Sequence, residues 1–115
     1  MGLDQYAYKI SFSDNVEERT TIQTWRKHPN LQGWMENLWR ERGGEGEFNC
    51  EDVELSEIDL LKLQDDVMKF LLPETTGFFY GESCDKENMT TDLQFIDDAL
   101  KNIKNGYRVV YDSWW

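Results

Sequence analysis

One short stretch of the chain holds the side chains best suited to chemistry. Trp25, Arg26, Lys27 and His28 are consecutive, and Trp34 follows a few residues later. Guanidinium and ammonium groups can hold an anionic ligand, and an imidazole can transfer a proton near neutral pH. The alternative is a pair of core tryptophans beside a cationic loop that pairs with some of the many carboxylates. Because the spacing fixes neither a nucleophile nor a ligand partner, the sequence assigns no catalytic residue.

A second candidate is the aromatic segment 77–81, which glycines bracket. Glycine lets a backbone approach a ligand closely, although glycines beside a strand more often mark a turn or bulge. In a strand Phe79 faces the core, while Phe78 and Tyr80 share the other face. One hypothesis places this segment and the first cluster around a single pocket. Its candidate ligand-binding residues are Trp25, Arg26, His28, Thr76, Phe78 and Tyr80.

The charge of the chain limits its partners. There are 23 Asp and Glu residues against 12 Lys and Arg residues, a formal net charge of −11 on 115 residues. Such a surface repels phosphate, so nucleic acid and anionic membranes are excluded as direct partners. Seven carboxylates and no cation lie between Arg42 and Lys62. This run predicts a solvated face or a docking surface for a basic protein. Imitation of DNA is a third reading, which the even spread of charge along the chain disfavours.

The tryptophans add to this surface. Five of them is a high number for this length, and exposed tryptophan favours protein interfaces. Trp39 lies off the apolar stripe of its predicted helix, and Trp115 ends the sequence. The predicted interface residues are Glu45, Glu47, Glu51, Asp52, Glu54, Trp39 and Trp115.

Two cysteines, Cys50 and Cys84, form no metal-binding or redox motif. With His28 the only histidine, they cannot supply four zinc ligands, so the sequence predicts neither a metal site nor a cofactor. Cys50 fits a small buried side chain better than a nucleophile. No secretory leader and no membrane-spanning stretch are expected, which together with the cysteine usage predicts a cytoplasmic protein.

Hydrophobic periodicity predicts the elements that position these residues. Alternation over 6–12 indicates a strand whose Tyr6, Tyr8 and Ile10 face the core. The remaining predictions are a helical turn in 20–28, helices over 30–42, 56–72 and 91–105, and strands over 50–55, 77–81 and 107–111. Polar residues alternate in the strands, which favours an antiparallel sheet over a buried parallel one. The chain is therefore expected to be one α+β domain, residues 1–115, with about four strands and about three helices on one face.

The sequence resembles a family of small, largely uncharacterised proteins of tailed phages of cyanobacteria and enterobacteria. The resemblance covers most of the chain and depends on the order of several motifs. These are residues 1–4, residues 25–28 with Trp34, residues 49–51, residues 72–81, Asp92-Leu93 and Ser113-Trp114. It implies a viral origin and no established activity. Where the family often has a second histidine, this chain has Gln32, which cannot transfer a proton at neutral pH.

Members of that family are often named phosphoglycerate kinase, a name that the sequence contradicts. That enzyme is a large two-domain protein with a basic substrate patch, whereas this chain has 12 basic residues and no glycine-rich phosphate loop. The favoured hypothesis is a non-enzymatic phage accessory protein, monomer or homodimer, that binds a host or phage protein through its acidic, aromatic surface. The alternatives are a small-ligand-binding protein or minor enzyme with the pocket described above, and a DNA-mimic inhibitor.

Overall fold

Four strands form one antiparallel sheet in the part of the chain that the structure describes. The computed structural model describes residues 3–13, 15–26, 28–48, 51–73 and 85–114. Its elements are β1 (Asp4–Ser13), β2 (Val16–Arg26), α1 (Pro29–Glu41), β3 (Val53–Leu55), α2 (Glu57–Met68), α3 (Asp85–Lys104) and β4 (Arg108–Trp114). The strand order is β2-β1-β4-β3, and all neighbours are antiparallel. The prediction of an α+β fold with a four-stranded antiparallel sheet and three helices is confirmed.

The first two strands differ from the sequence prediction. Residues 20–26 belong to the long strand β2 and not to a helical turn. That prediction was wrong because Thr20, Thr21 and Ile22 favour a strand, and because the left-handed backbone of Asn15 (φ 65°) allows a tight hairpin with β1.

The prediction for the core face of β1 is wrong for Tyr6 and Tyr8, whereas Ile10 is buried as predicted. Leu3, Gln5 and Ala7 are buried, whereas Tyr6 and Tyr8 are half-buried and stack on each other on the other face. Ala7 lies beside Tyr111 of β4. The small side chain of Ala7 leaves room for the tyrosine ring, and this pairing decides which face turns inward.

The predicted helix over 30–42 is confirmed as α1, with Pro29 at its first turn, where a missing N–H is tolerated. The third helix begins at Asp85 and not at Thr91. The predicted strand over 77–81 and both cysteines lie outside the described residues, and β3 is shorter than the predicted strand over 50–55.

Helix α2 begins where the sequence predicted, at a capping box in which the side chains of Ser56 and Asp59 each accept a hydrogen bond from the other's backbone N–H. It ends at Met68, earlier than predicted. Phe70 is left-handed (φ 57°), and the N–H of Leu71 donates to the carbonyl of Asp66. This Schellman ending turns Leu71 outward and leaves it 60% exposed, although its spacing from Leu63 and Val67 would place it on the buried stripe of a helix that ran to residue 72 as predicted.

The main core lies between the sheet and the helices. Ala7, Val109 and Tyr111 of the sheet pack in one cluster with helix residues such as Leu63 and Phe95. Trp25 of β2 meets the ring of Phe95 edge to face, with 4.9 Å between the ring centroids. Ile10 and Val110 are also buried but lie outside that cluster.

Candidate functional site

A groove at the end of α1 brings together three of the predicted interface residues. Trp39, Asp52 and Glu54 all line it, and its volume is about 510 Å³. Arg42, Gly43, Gly44, Val53 and Ser56 complete its wall. We call this site the Trp39 groove. Helix α1 supplies its aromatic wall and the edge strand β3 its acidic wall.

Local backbone geometry fixes the position of Trp39. Gly43 adopts a φ of 94° just after α1, and the N–H of Gly44 donates to the carbonyl of Trp39 at 3.0 Å. Gly44 then lies against the indole so closely that an added Cβ would be 2.3 Å from a ring carbon. Phe48 contacts the indole as well, with 5.1 Å between ring centroids. The indole is therefore held in one place and remains half-buried.

Arginines of the same chain pair with both carboxylates that line the groove and with Asp59 nearby. Arg19 donates two hydrogen bonds to Asp52, with distances of 3.2 and 2.7 Å. These hydrogen bonds raise the pKa of the Arg19 guanidinium and outweigh the opposite effect of burial. Arg108 pairs with Glu54. Arg42 donates to Asp59 and to the carbonyl of Glu54. The acidity of the 43–61 run is thus partly neutralised within the molecule.

Other carboxylates of this run face solvent. Glu45, Glu47 and Glu51 are exposed, and within the described residues none of them has a lysine or arginine at ion-pair distance. They lie in the same two segments, 43–48 and 51–56, that border the groove. These two segments therefore carry most of the solvent-exposed carboxylates of the 43–61 run that have no lysine or arginine partner. Trp115 lies outside the described residues.

The cluster at residues 25–28 has a different setting. His28 is 1% exposed, and a hydrogen bond of 2.9 Å joins its Nε2 to Oδ2 of Asp92, which is equally buried. Trp25 donates from its indole N–H to the other oxygen of Asp92 at 2.8 Å. The structure thus brings Trp25 and His28 together on one carboxylate of α3.

Further buried hydrogen bonds extend this cluster across the sheet. The side-chain amide of Gln5 bonds both the backbone N–H and the carbonyl of His28, and it donates to the Tyr111 hydroxyl at 2.8 Å. That hydroxyl donates to Gln32, whose amide donates to the carbonyl of Phe48. We call these groups the buried polar network: Gln5, Trp25, His28, Gln32, Asp92 and Tyr111.

The network has the geometry of a structural brace. A histidine beside a carboxylate is the arrangement of a general base, but a general base must reach the proton that it removes. His28 and Asp92 are sealed from solvent, and the second oxygen of Asp92 is already bonded to Trp25. Gln32 accepts a hydrogen bond from the Tyr111 hydroxyl through its side-chain amide oxygen.

Arg26 does not join His28. Its side chain is 84% exposed and pairs at 3.7 Å with Asp4 of β1. The alternation of β2 turns Arg26 away from the core that receives Trp25. The structure therefore separates Arg26 from His28, which were both predicted to line the ligand pocket. Thr76, Phe78 and Tyr80, like Lys27, lie outside the described residues.

Sequence reasoning missed Gln5 and Asp92 as partners of the histidine, and Tyr111 as a member of the buried polar network. Asp92 is 64 positions from His28, and nothing in local spacing connects them. It also missed Arg42, the C-cap residue of α1, as a wall of the Trp39 groove.

The described residues contain no group of three or more His, Cys, Asp or Glu side chains arranged to hold a metal ion. In the same part of the chain, no helix has both the length and the apolar character that a bilayer crossing requires. Comparison with protein-family models, with curated proteins and with solved structures finds no match for this chain.

Proposed function

We propose that this chain is a non-enzymatic, phage-encoded accessory protein that binds a basic surface of a host or phage protein in the host cytoplasm. The binding site is the Trp39 groove with the exposed carboxylates of Glu45, Glu47 and Glu51. One observation carries the proposal: three residues selected for their type alone, Trp39, Asp52 and Glu54, line a single open groove.

The groove suits a lysine or arginine side chain that is flanked by an apolar one. The guanidinium of Arg40 already lies over the Trp39 ring, 5.4 Å from its centroid, so the indole accepts a cation. Carboxylates on the neighbouring segments would attract the partner and orient it. Rim charges of this kind act mainly on the association rate and are screened by salt.

The phage origin is supported by the sequence resemblance, and the cytoplasmic location by the sparing use of cysteine. A protein that acts on host machinery needs no active site of its own. Placing the only histidine in the buried polar network agrees with a binding role.

Selection from an unbiased random-peptide library on the immobilised full chain tests the proposal. We expect the peptides enriched at low salt to be rich in lysine or arginine with an aromatic or aliphatic neighbour, and to be released by about 0.5 M salt, where the Debye length is only a few ångströms. Binding of the selected peptides should fall at least about tenfold in the double variant Glu45→Lys/Glu47→Lys.

The matched control is Glu18→Lys/Asp97→Lys, which makes the same change in net charge at exposed positions on β2 and α3. Equal losses in both double variants would show that only net charge matters and would refute a site at the groove. Enrichment of neutral or acidic peptides would contradict the proposal as a whole.

A further inference from the structure

Strand β3 lies at the edge of the sheet, beside the Trp39 groove. Its neighbour on one side is β4, and within the described residues no strand lies on its other side. An edge strand presents backbone N–H and C=O groups that have no partner in the sheet. The Trp39 groove follows this edge, because Asp52, Val53, Glu54 and Ser56 all line it. One wall of the groove is therefore the open edge of the sheet.

Two hydrogen bonds indicate which backbone groups of this edge point away from the sheet. The carbonyl of Glu54 accepts from the Arg42 side chain, and the N–H of Ser56 donates to Oδ2 of Asp59 at 2.9 Å. Arg42 caps α1 and Asp59 belongs to α2, so neither partner is part of the sheet. In an antiparallel ladder the N–H and C=O of one residue point to the same side, and that side alternates along the strand. Glu54 therefore directs both of its backbone groups into the groove, whereas the residues on either side of it bond β4.

The side chains of the edge alternate between the two faces of the sheet. Val53 and Leu55 are buried in the core, so Asp52 and Glu54 lie on the opposite face. Trp39 packs against the core cluster and borders the groove from the core side. A strand added to this edge would therefore place alternate side chains beside Trp39 and beside the two carboxylates.

The charges at this edge favour a cationic strand. Asp52 and Glu54 already pair with Arg19 and Arg108, so guanidinium groups fit beside these carboxylates. Glu51, the preceding residue, is exposed. Opposite charges on neighbouring strands stabilise a sheet and like charges destabilise it. A second copy of β3 would bring carboxylates together, whereas a strand that carries lysine or arginine complements them.

We propose that an extended, basic segment of the partner protein binds the Trp39 groove as an added strand beside β3. This inference rests on the proposed function, and it adds the conformation of the partner and the backbone groups that bind it. The segment exchanges two backbone hydrogen bonds with Glu54, whose carbonyl has a second lone pair besides the one that Arg42 uses. Basic and apolar residues alternate along it, the basic ones towards Asp52 and the apolar ones towards Trp39. Backbone bonds of this kind supply affinity, and the alternate side chains supply specificity.

Amide hydrogen exchange of the ¹⁵N-labelled full chain tests the proposal without any substitution. The probe is the basic peptide selected from the random library. In the free chain the outward N–H of Glu54 should exchange rapidly, whereas those of Val53 and Leu55 are protected by β4. With saturating peptide, we expect exchange at Glu54 to slow at least about tenfold and exchange at Val53 and Leu55 to change little. Saturation without protection of Glu54 would overturn the added strand and would leave the groove as a site for side chains alone.

Backbone methylation of the same peptide is a second test. An N-methyl group removes the hydrogen-bond donor of one residue and leaves its side chain in place. Because only every second residue of an added strand faces β3, methylation should weaken binding at least about fivefold at alternate central positions and have little effect between them. Equal effects at all central positions, or no effect at any, would overturn the proposal.

A matched pair of variants tests the edge of the chain itself. Glu54→Pro removes the outward N–H, at the kind of edge position where proline is tolerated, and Glu54→Ala removes the carboxylate but keeps the N–H. We expect Glu54→Pro to bind the peptide at least about fivefold more weakly than Glu54→Ala. Circular dichroism verifies that both variants are folded, and the exchange and methylation experiments are decisive if the proline variant is not.

The outcomes separate this inference from the proposed function. Equal affinities of the two folded Glu54 variants would contradict the backbone bonds and leave a peptide-binding groove. Failure of the library to yield any basic peptide would refute the proposed function, and the added strand with it.

Discussion

The buried polar network and the Trp39 groove contain similar side chains in opposite surroundings. Each has a tryptophan beside at least one carboxylate, and each includes a basic or titratable side chain, His28 in the network and Arg42 in the groove. In the network, the imidazole, the carboxylate and the indole bond one another away from water. In the groove, the indole is half-buried, and the carboxylates of Glu45, Glu47 and Glu51 on the bordering segments face solvent. Residue type alone would favour the histidine cluster as the functional site, whereas access to solvent favours the groove.

The largest effect is expected from Asp92→Ala. It leaves the indole N–H of Trp25 and the imidazole of His28 without their carboxylate in a dry interior, which should lower the free energy of unfolding by about 3–5 kcal/mol. Urea denaturation measures the change. Glu47→Gln, on the exposed acidic segment, should change it by less than about 0.5 kcal/mol. Similar losses in both variants would erase the contrast between the two regions.

Tyr111→Phe tests the other end of the network. The hydroxyl accepts from Gln5 and donates to Gln32, so its removal leaves two buried amides each short of a partner. We expect a loss of about 2 kcal/mol in the free energy of unfolding with little change in packing volume. A neutral result in thermal and urea denaturation would mean that the network is not a brace.

Gly44→Ala perturbs the groove instead. The new Cβ would meet the ring of Trp39 at 2.3 Å, so the indole must move. Overpacking of this kind should cost about 1–2 kcal/mol and shift tryptophan fluorescence. Gly46→Ala is the control: nothing lies within 4 Å of its added Cβ, and its φ of 86° imposes only backbone strain. Identical fluorescence changes in the two variants would argue against a close Gly44–Trp39 contact.

Asp59→Asn probes the capping box beside the groove. Burial alone would raise the pKa of this carboxyl, but hydrogen bonds from Ser56 and Arg42 outweigh it and lower the pKa. Stability from the ionised form is therefore present above the unfolded pKa of about 4 and is lost as pH falls through the lower folded value. The variant should be less stable by about 1 kcal/mol at pH 7, and the difference should shrink between pH 5 and pH 2. A difference that is independent of pH would contradict the assignment.

Asp112→Asn should act in the opposite direction and by the smallest amount. Burial, followed by the charge of Asp52, raises the pKa of Asp112, and its buried Oδ1 has no hydrogen-bond partner among the described residues. The ionised carboxylate therefore destabilises the fold once pH rises through its folded pKa. Because the side chain is partly exposed, the gain in the variant should be only a few tenths of a kcal/mol at pH 7, vanishing below about pH 4. Thermal denaturation at the two pH values measures it, and a loss at pH 7 would contradict the sign.

Local patterns predicted the parts of the fold that local physics determines. The apolar spacing of Leu31, Trp34 and Met35 predicts α1, and the capping box at Ser56 predicts the start of α2. Trp39 was predicted off the buried stripe and lies in the groove. The exposed apolar side of α2 could also have been predicted, because Ile58, Leu61 and Met68 recur at helical spacing. The stripe of Leu60, Leu63 and Val67 was enough to predict the helix, so the second stripe was not considered.

Contacts between residues far apart in the chain determine the features that the sequence could not predict. The face of β1 follows from Tyr111, more than a hundred positions away, and His28 finds Asp92 on a helix at the other end of the chain. Residues 20–26 were predicted as a helical turn, and their pairing with β1 makes them a strand. Leu71 faces outward because of a left-handed residue, Phe70, that no sequence rule favours there.

Resonances of the tryptophan indole N–H groups test the central claim most directly. The full chain, labelled with ¹⁵N, is titrated with a lysine- and arginine-rich peptide selected from the random library. We predict that the Trp39 resonance shifts with saturation and returns in high salt. Those of Trp25 and Trp34, bonded to Asp92 and Asp66, should stay in place. A peptide that shifts Trp25 or Trp34 and leaves Trp39 unchanged would contradict the groove as the binding site.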